Sequence, residues 1–432
     1  MFSPGWRSRP SGQQPESNEL GGENVHRRAA RGALIVGVAA TLVLAGCGDK
    51  KTDSKSSSES GSETSTGLSI QPELQVDLEG KEVPATNASS AANPAGDGTA
   101  KCDPVSIAMA GALTGEDAAL GINIIDGVKL ALDQHNKANP GCQVELKKFD
   151  TEGNPEKATQ VIPNVINDKS VIGLVGPAFS GETKATGQTL SDAGLVSVTS
   201  SATNAKLTQN GWKTFFRGLA NDDIQGPAVA KYLTGTLGYN KVCVVQDNTD
   251  YGTGLAKAVT EALGSAADEN CAASIKKGDK DFNATVTKLK SANAQAIFYS
   301  GYYAEAAALA ASLKKNGVNA VFVSADGSND PEFVKQAGSA SKDAILSCPC
   351  GPAPDKFKAE YKALNGQDPG VYSVEAYDLT TILLKGIDSG KVTRADLLEF
   401  VRSYDGPGLA RQYKWNENGE LSTALIWVYK VK

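Results

Sequence analysis

From residue 101 onward, short apolar runs alternate with amphipathic stretches, and this alternation limits the open folds more than any other feature of the chain. The run Val-Ser-Ile-Ala-Met-Ala at 105–110 offers almost no polar face, so it reads as a strand covered on both sides. The stretch 121–137 that follows places Ile125, Val128 and Leu132 on one helical face. Further strands are expected at 144–149, 171–175, 195–200, 241–246, 272–275, 296–299 and 320–324, with helices at 183–192, 254–263, 283–290 and 304–315. Asn154-Pro155-Glu156 reads as an N-cap, a proline at the first helical position and an acidic first turn. Pro163 is expected to kink or shorten that helix. Later, 354–364, 374–388 and 394–403 look helical, with Thr393 able to cap the last, and 411–415 and 424–431 look like closing strands. Repeated strand–helix units imply parallel sheets with helices on both faces. So many strands overfill one compact sheet at this length, which favours an α/β body of two doubly wound lobes. Open parallel sheets bind ligands beyond the carboxyl ends of their strands. The segments to watch are therefore 111–121, 176–181, 200–203, 247–251, 300–303 and 324–327.

Before residue 101 the text is different. Arg27, Arg28 and Arg31 precede an apolar run at 33–45, too short to span a bilayer comfortably, which reads as a signal peptide over 1–46. The run ends in Leu44-Ala45-Gly46-Cys47, which resembles the bacterial lipobox; that likeness makes Cys47 the lipidated first residue of the mature chain. From 47 to 100 Ser, Thr, Gly, Asp, Lys, Asn and Pro dominate without periodicity, and the segment is expected to be a disordered tether.

Composition excludes several chemistries. The net charge is −6, the wrong sign for a nucleic-acid partner. Of two histidines, His26 and His135, only the second survives cleavage, so histidine-based catalysis and a multi-histidine metal site are not expected. There is no Gly-x-Ser-x-Gly elbow, and the chain reads as neither an enzyme nor a cofactor carrier. Six cysteines remain beyond Cys47. Cys102 and Cys142 each precede one of two consecutive strands, and Cys243 and Cys271 stand in the same relation, so these are the expected disulfides. Cys348 and Cys350 are left over; whether that small ring is closed stays open, as does a role as free thiols.

A series of phrases carries a family likeness: Gly111-Ala-Leu-Thr-Gly115, Val175-Gly-Pro-Ala-Phe-Ser-Gly181, Val198-Thr-Ser-Ser-Ala-Thr203, Gly226-Pro227, Asp250-Tyr-Gly-Thr-Gly254, Asp281-Phe282, Gly301-Tyr-Tyr303 and Ala325-Asp326-Gly327. In this order and spacing the body, residues 105–432, resembles type I periplasmic binding proteins, specifically the leucine/isoleucine/valine-binding group of branched-chain amino-acid ABC transporters. The resemblance implies a clamshell of two lobes joined by a three-strand hinge: 101–220 with 350–409, and 221–349 with 410–432. Cys348 and Cys350 would then lie at or beside a crossing.

The resemblance also implies a site. Ser180 and Thr203, with backbone groups of Ser201 and Ala202, would hold a ligand carboxylate; the plainer role is capping their own helices. Asp326 would meet an ammonium, or alternatively cap a turn. Tyr251 and Tyr302 would close from the second lobe, against ordinary packing as the alternative. Leu120 stands where the family carries an aromatic, and with Phe179 it suggests an apolar pocket. The expected function is that of a monomeric, extracytoplasmic, lipid-anchored solute-binding protein that delivers a small amino acid to an ABC permease. The same fold with a short amide, urea or aromatic acid as ligand is the main alternative, followed by a ligand-sensing receptor component.

Overall fold

The computed structural model describes residues 67–84, 93–422 and 426–432. The expected signal peptide and Cys47 lie outside them. Two largely parallel sheets organise what is described. In the first, the strand Val105–Gly111 is buried along its whole length, which is why its sequence does not alternate. Its neighbours are Val144–Asp150 on one side and Val171–Val175 on the other, followed by Val196–Thr199 and Phe215–Arg217. Helices Ala118–Ala138, Ser373–Asp388 and Arg394–Ser403 pack on this sheet, as do Pro155–Asn167 and Ser180–Asp192.

In the second sheet the parallel order is Ala273–Ser274, Val242–Gln246, Ala296–Ser300, Val321–Ser324 and Ile345–Cys348. Helices Asp222–Lys231 and Asp250–Leu263 pack against it, and Asn283–Ala292, Tyr303–Lys315 and Pro331–Ala337 form a second group. Each sheet begins in the middle and reverses beside its first strand. The reversals fall between Val105–Gly111 and Val171–Val175, and between Val242–Gln246 and Ala296–Ser300. Crevices form at such points because the loops on either side lead away in opposite directions.

Local signals work where they act alone. Asn154 accepts from the Lys157 N–H at 2.8 Å and starts Pro155–Asn167. Thr393 accepts from the Asp396 N–H at 3.2 Å and starts Arg394–Ser403. Pro163 does not shorten its helix, which runs on to Asn167. Pro163 is on the exposed face, where water can take the freed carbonyl, while Ile162 and Val165 stay buried.

Two expectations need correction. The segment 47–100 is not wholly a tether: Ile70–Val76 is a strand, antiparallel to Ile426–Val431, and Glu82–Val83 pairs with it in turn. Val76 is fully buried and Leu74 packs against the core, so the C-terminal strand supplies the partner that the local sequence lacks. The last crossing also comes later than residue 410. The Trp415 indole donates to the Arg217 carbonyl at 2.6 Å, and Glu420 pairs with the Arg217 guanidinium at 2.9 Å, so this stretch is fastened to the first sheet. Phe215–Arg217, Asp222–Lys231, Pro331–Ala337 and Ile345–Cys348 were not expected from the sequence. Their short runs carry too few turns of either period to stand out.

All six body cysteines are bonded: Cys102–Cys142, Cys243–Cys271 and Cys348–Cys350, with Cα separations of 4.6, 5.5 and 4.9 Å. The first two join neighbouring strand starts, as sheet adjacency requires.

Candidate functional site

The loops at the two reversal points face one another. From the first sheet comes Ser180, at the start of Ser180–Asp192. The Glu182 carboxylate accepts from the Phe179 N–H at 3.1 Å and fixes this start. Ser180 Oγ accepts from the Asn204 N–H at 3.2 Å, which leaves its own proton to donate. Free N–H groups at a helix start beside a hydroxyl suit an anion. From the second sheet come Tyr251, Tyr302 and Asp326. Thr249 accepts from the Gly252 N–H at 2.9 Å, starting Asp250–Leu263 and turning Tyr251 inward. Gly327 lets this ring come close, since a Cβ there would stand 2.8 Å from Tyr251 Cε1.

These groups line one small cavity. Leu120, Ile124, Ala178 and Phe179 form an apolar wall, with Ser180 and Ser201 beside it and Tyr251, Tyr302, Tyr372 and Asp326 opposite. Seven of the nine expected ligand-contacting residues are thus brought together. Ala202 and Thr203 stand behind the wall. The Ala202 N–H already donates to Thr199 Oγ1 at 3.0 Å, and its carbonyl accepts from Arg217, so its backbone is taken. The Ser201 hydroxyl donates to the Ala178 carbonyl at 2.6 Å.

Asp326 is fully buried. Its carboxylate accepts from Tyr372 Oη at 2.7 Å, Tyr251 Oη at 2.9 Å and Gln225 Nε2 at 2.9 Å, all neutral donors. Burial pushes this carboxyl above the usual range, and the Tyr372, Gln225 and Tyr251 bonds pull against it. Burial also holds the three cavity phenols far above their ordinary values, so they remain donors. Tyr372 and Gln225 were missed. Tyr372 follows no strand; it sits at φ 69° before Ser373–Asp388, where only three-dimensional proximity shows its role. Gln225 lies inside a helix that the sequence did not announce.

Behind the aromatic wall, Lys277 pairs with Asp117 and lies 4.6 Å from the Tyr302 ring centre and 5.5 Å from that of Phe179. Burial works to lower its pKa, but Asp117 and the more distant Glu305 and Asp247 leave it raised, so it is charged. This pair bridges the two halves, as do Lys184–Asp250 at 2.7 Å, Lys280–Glu116 at 2.9 Å and Asn123–Asp330 at 2.7 Å. Of the described acids, cysteines and histidines, one trio, His135, Cys142 and Asp388, has metal-binding spacing, but Cys142 is bonded to Cys102.

Residues 104–432 match the family model described as periplasmic binding protein. The chain belongs to the periplasmic binding protein family. Among curated relatives of this extracytoplasmic family, the chain is 31% identical to the leucine-, isoleucine-, valine-, threonine- and alanine-binding protein of Pseudomonas aeruginosa, over 76% of this chain and 90% of that one. Among solved structures it resembles the branched-chain amino acid transporter substrate-binding protein of Streptococcus pneumoniae in complex with isoleucine, at 27% identity and a TM-score of 0.69, covering 74% of this chain and 94% of that chain. The leucine-binding protein of Thermotoga maritima gives 25% and 0.68 with the same coverages. The type I periplasmic binding protein fold follows from both likenesses and from the sheets described above. No helix among the described residues is long and apolar enough to cross a membrane.

Proposed function

We propose that this periplasmic binding protein takes a branched-chain or other small aliphatic amino acid into the cavity between its halves and delivers it to an ABC permease, as a monomer anchored by lipid on Cys47. One observation carries the ligand: Asp326 is fully buried among three neutral donors, with no cation among its bonded partners. A buried charge without its opposite is costly, and a ligand ammonium supplies that opposite. The ligand's carboxylate then falls to Ser180, whose proton is free, to the adjoining helix start, and to Thr203, whose buried hydroxyl stands just behind them with no group in full hydrogen-bond geometry. Leu120, Ile124 and Phe179 receive an aliphatic side chain, and burying one worth about 2 kcal/mol gives roughly a thirtyfold preference over a small one. The names of the relatives point the same way.

The mechanism rests on the division of contacts between halves. Hydroxyls of the first half hold the open-state ligand, and Asp326, Tyr251 and Tyr302 of the second engage on closure. The ligand therefore shifts the equilibrium toward the closed form by its differential contacts, and the permease recognises that form. Calorimetry of the purified protein against the twenty amino acids tests the reading. Binding of leucine, isoleucine or valine is expected; binding of an amide, urea or aromatic acid with no amino acid bound overturns the ligand assignment. For the anchor, a diacylated mass at Cys47 in intact cells, and release of Cys47→Ala into the medium or periplasm, are the expected results.

A further inference from the structure

Asp222 opens the helix Asp222–Lys231 and is 1% exposed. Neither of its carboxyl oxygens reaches full hydrogen-bond geometry with any group. Arg217, the cation that acts on it, is already committed: it pairs with Glu420 and donates to the carbonyls of Ala202 and Asn204. The outer pocket that Asp222 lines also carries Lys184, Lys206 and Lys257 on its exposed rim, with Lys184 paired to Asp250 and Lys257 to Glu261. The titratable groups on the elements packed against it are acids and a phenol. Asp223 is on its own helix, Asp326 follows Val321–Ser324, and Asp250, paired with Lys184, and Tyr251 open the neighbouring helix. A buried carboxyl that faces other acids, while the one cation acting on it is committed elsewhere, is held in its protonated form.

The side chain it faces is Thr203, whose hydroxyl is itself fully buried. The backbone ties the two together, since the Asp222 N–H donates to the Thr203 carbonyl at 2.9 Å. Gly254 presses from the other side, where a Cβ would stand 2.9 Å from Asp222 Oδ2, so the carboxyl has little room to turn away. The next residue, Asn204, donates its N–H to Ser180 Oγ, which brings this stretch up against the cavity wall.

We propose that neutral Asp222 is a positioning residue, which holds the Thr203 hydroxyl with its proton turned toward the carboxylate of a bound amino acid. The proposal rests on the reading of the cavity as an amino-acid site. Protonated Asp222 donates to Thr203 Oγ1, and the hydroxyl's own proton is then left for the ligand. Ionised Asp222 reverses that bond, turns the hydroxyl away and adds a like charge near the ligand carboxylate. Burial, opposed by Thr203 and reinforced by Asp326, pushes this carboxyl up to about 8. Affinity is therefore full below that pH and falls above it.

The test is the dissociation constant of leucine, measured by calorimetry between pH 6.5 and pH 9.5 for the wild type, Asp222→Asn, Asp222→Ala and Thr203→Val. Loss of the ligand's own ammonium proton affects all four alike, so the ratio to wild type is the readout. The wild type is expected to weaken about tenfold more across this range than Asp222→Asn, whose amide donates but does not titrate. Asp222→Ala is expected to bind more weakly than Asp222→Asn at pH 7, and Thr203→Val to lose the extra pH dependence, because Asp222 acts through Thr203. Parallel profiles for wild type, Asp222→Asn and Thr203→Val, with binding intact, overturn this proposal and leave the amino-acid site standing. Absence of amino-acid binding in the wild type at every pH overturns both. If Asp222→Asn does not fold, the comparison of wild type with Thr203→Val decides by the same criterion.

Discussion

At Asp326 three donors converge on one buried carboxylate, and no cation offsets its burial. Asp326→Asn keeps the shape and removes the charge. It is expected to weaken amino-acid binding by at least about thirtyfold, roughly 2 kcal/mol, in calorimetry. The same variant is expected to melt no lower than wild type without ligand, since a buried charge is gone. A ligand without an ammonium would be spared, which separates the readings of the cavity. His135 gives a second residue-level prediction. Asn136 Nδ2 donates to the Val144 carbonyl at 2.9 Å and its Oδ1 accepts from the Val144 N–H at 3.0 Å, which fixes the amide. Oδ1 therefore faces His135 Nδ1 at 3.0 Å, while Asp388 Oδ1 lies 2.7 Å from Nε2. Both ring nitrogens face acceptors, so the ring is doubly protonated. Burial acts to lower its pKa, but the Asp388 and Asn136 bonds leave it raised. The stability this adds is complete below the unfolded value of about 6.5 and is lost as pH rises through the folded one. Melting curves from pH 5.5 to 8.5 should show that fall in wild type, and a smaller one in Asp388→Asn. Asp326, Tyr251 and Tyr302 were legible because they stand in segments beyond strand ends, within the phrases that carry the family likeness. Tyr372 and Gln225 were not, because neither strand ends nor helical period mark them.

The strand Ile70–Val76 shows what an element owes to a distant partner. Its own sequence, Ile-Gln-Pro-Glu-Leu-Gln-Val, lies in a polar stretch and carries a proline. It becomes a strand because Ile426–Val431 would otherwise be the sheet's edge, and the pairing buries Val76. Deleting residues 67–84 is expected to lower stability by about 3 kcal/mol, read in urea unfolding, and to promote self-association through the bared strand in sedimentation. The continuous apolar strands of both sheets were legible for the opposite reason. Burial on both faces writes itself into consecutive residues such as Val105 to Gly111, with no partner needed to see it.

Across the whole molecule, Lys277 and Asp117 join the halves behind the aromatic wall. Breaking a buried ion pair from one side leaves the other charge stranded. Lys277→Met is therefore expected to populate the open form, raise the radius of gyration of the ligand-free protein in X-ray scattering, and weaken leucine binding about tenfold. Two lobes were legible from strand count alone. The place of the last crossing was not, because Trp415 and Glu420 are fastened to Arg217, some two hundred residues earlier, by contacts no local pattern encodes. The N-terminal strand has a mechanical consequence for the proposed motion. A leash arriving from a lipid would be stitched through Ile70–Val76 into the second sheet before the chain reaches the first half, where Ala95 and Ala100 bond to Asn139. The half built on the second sheet would then keep its bearing toward the bilayer, and opening would swing the other half, with Ser180 and Thr203, like a door on a fixed jamb.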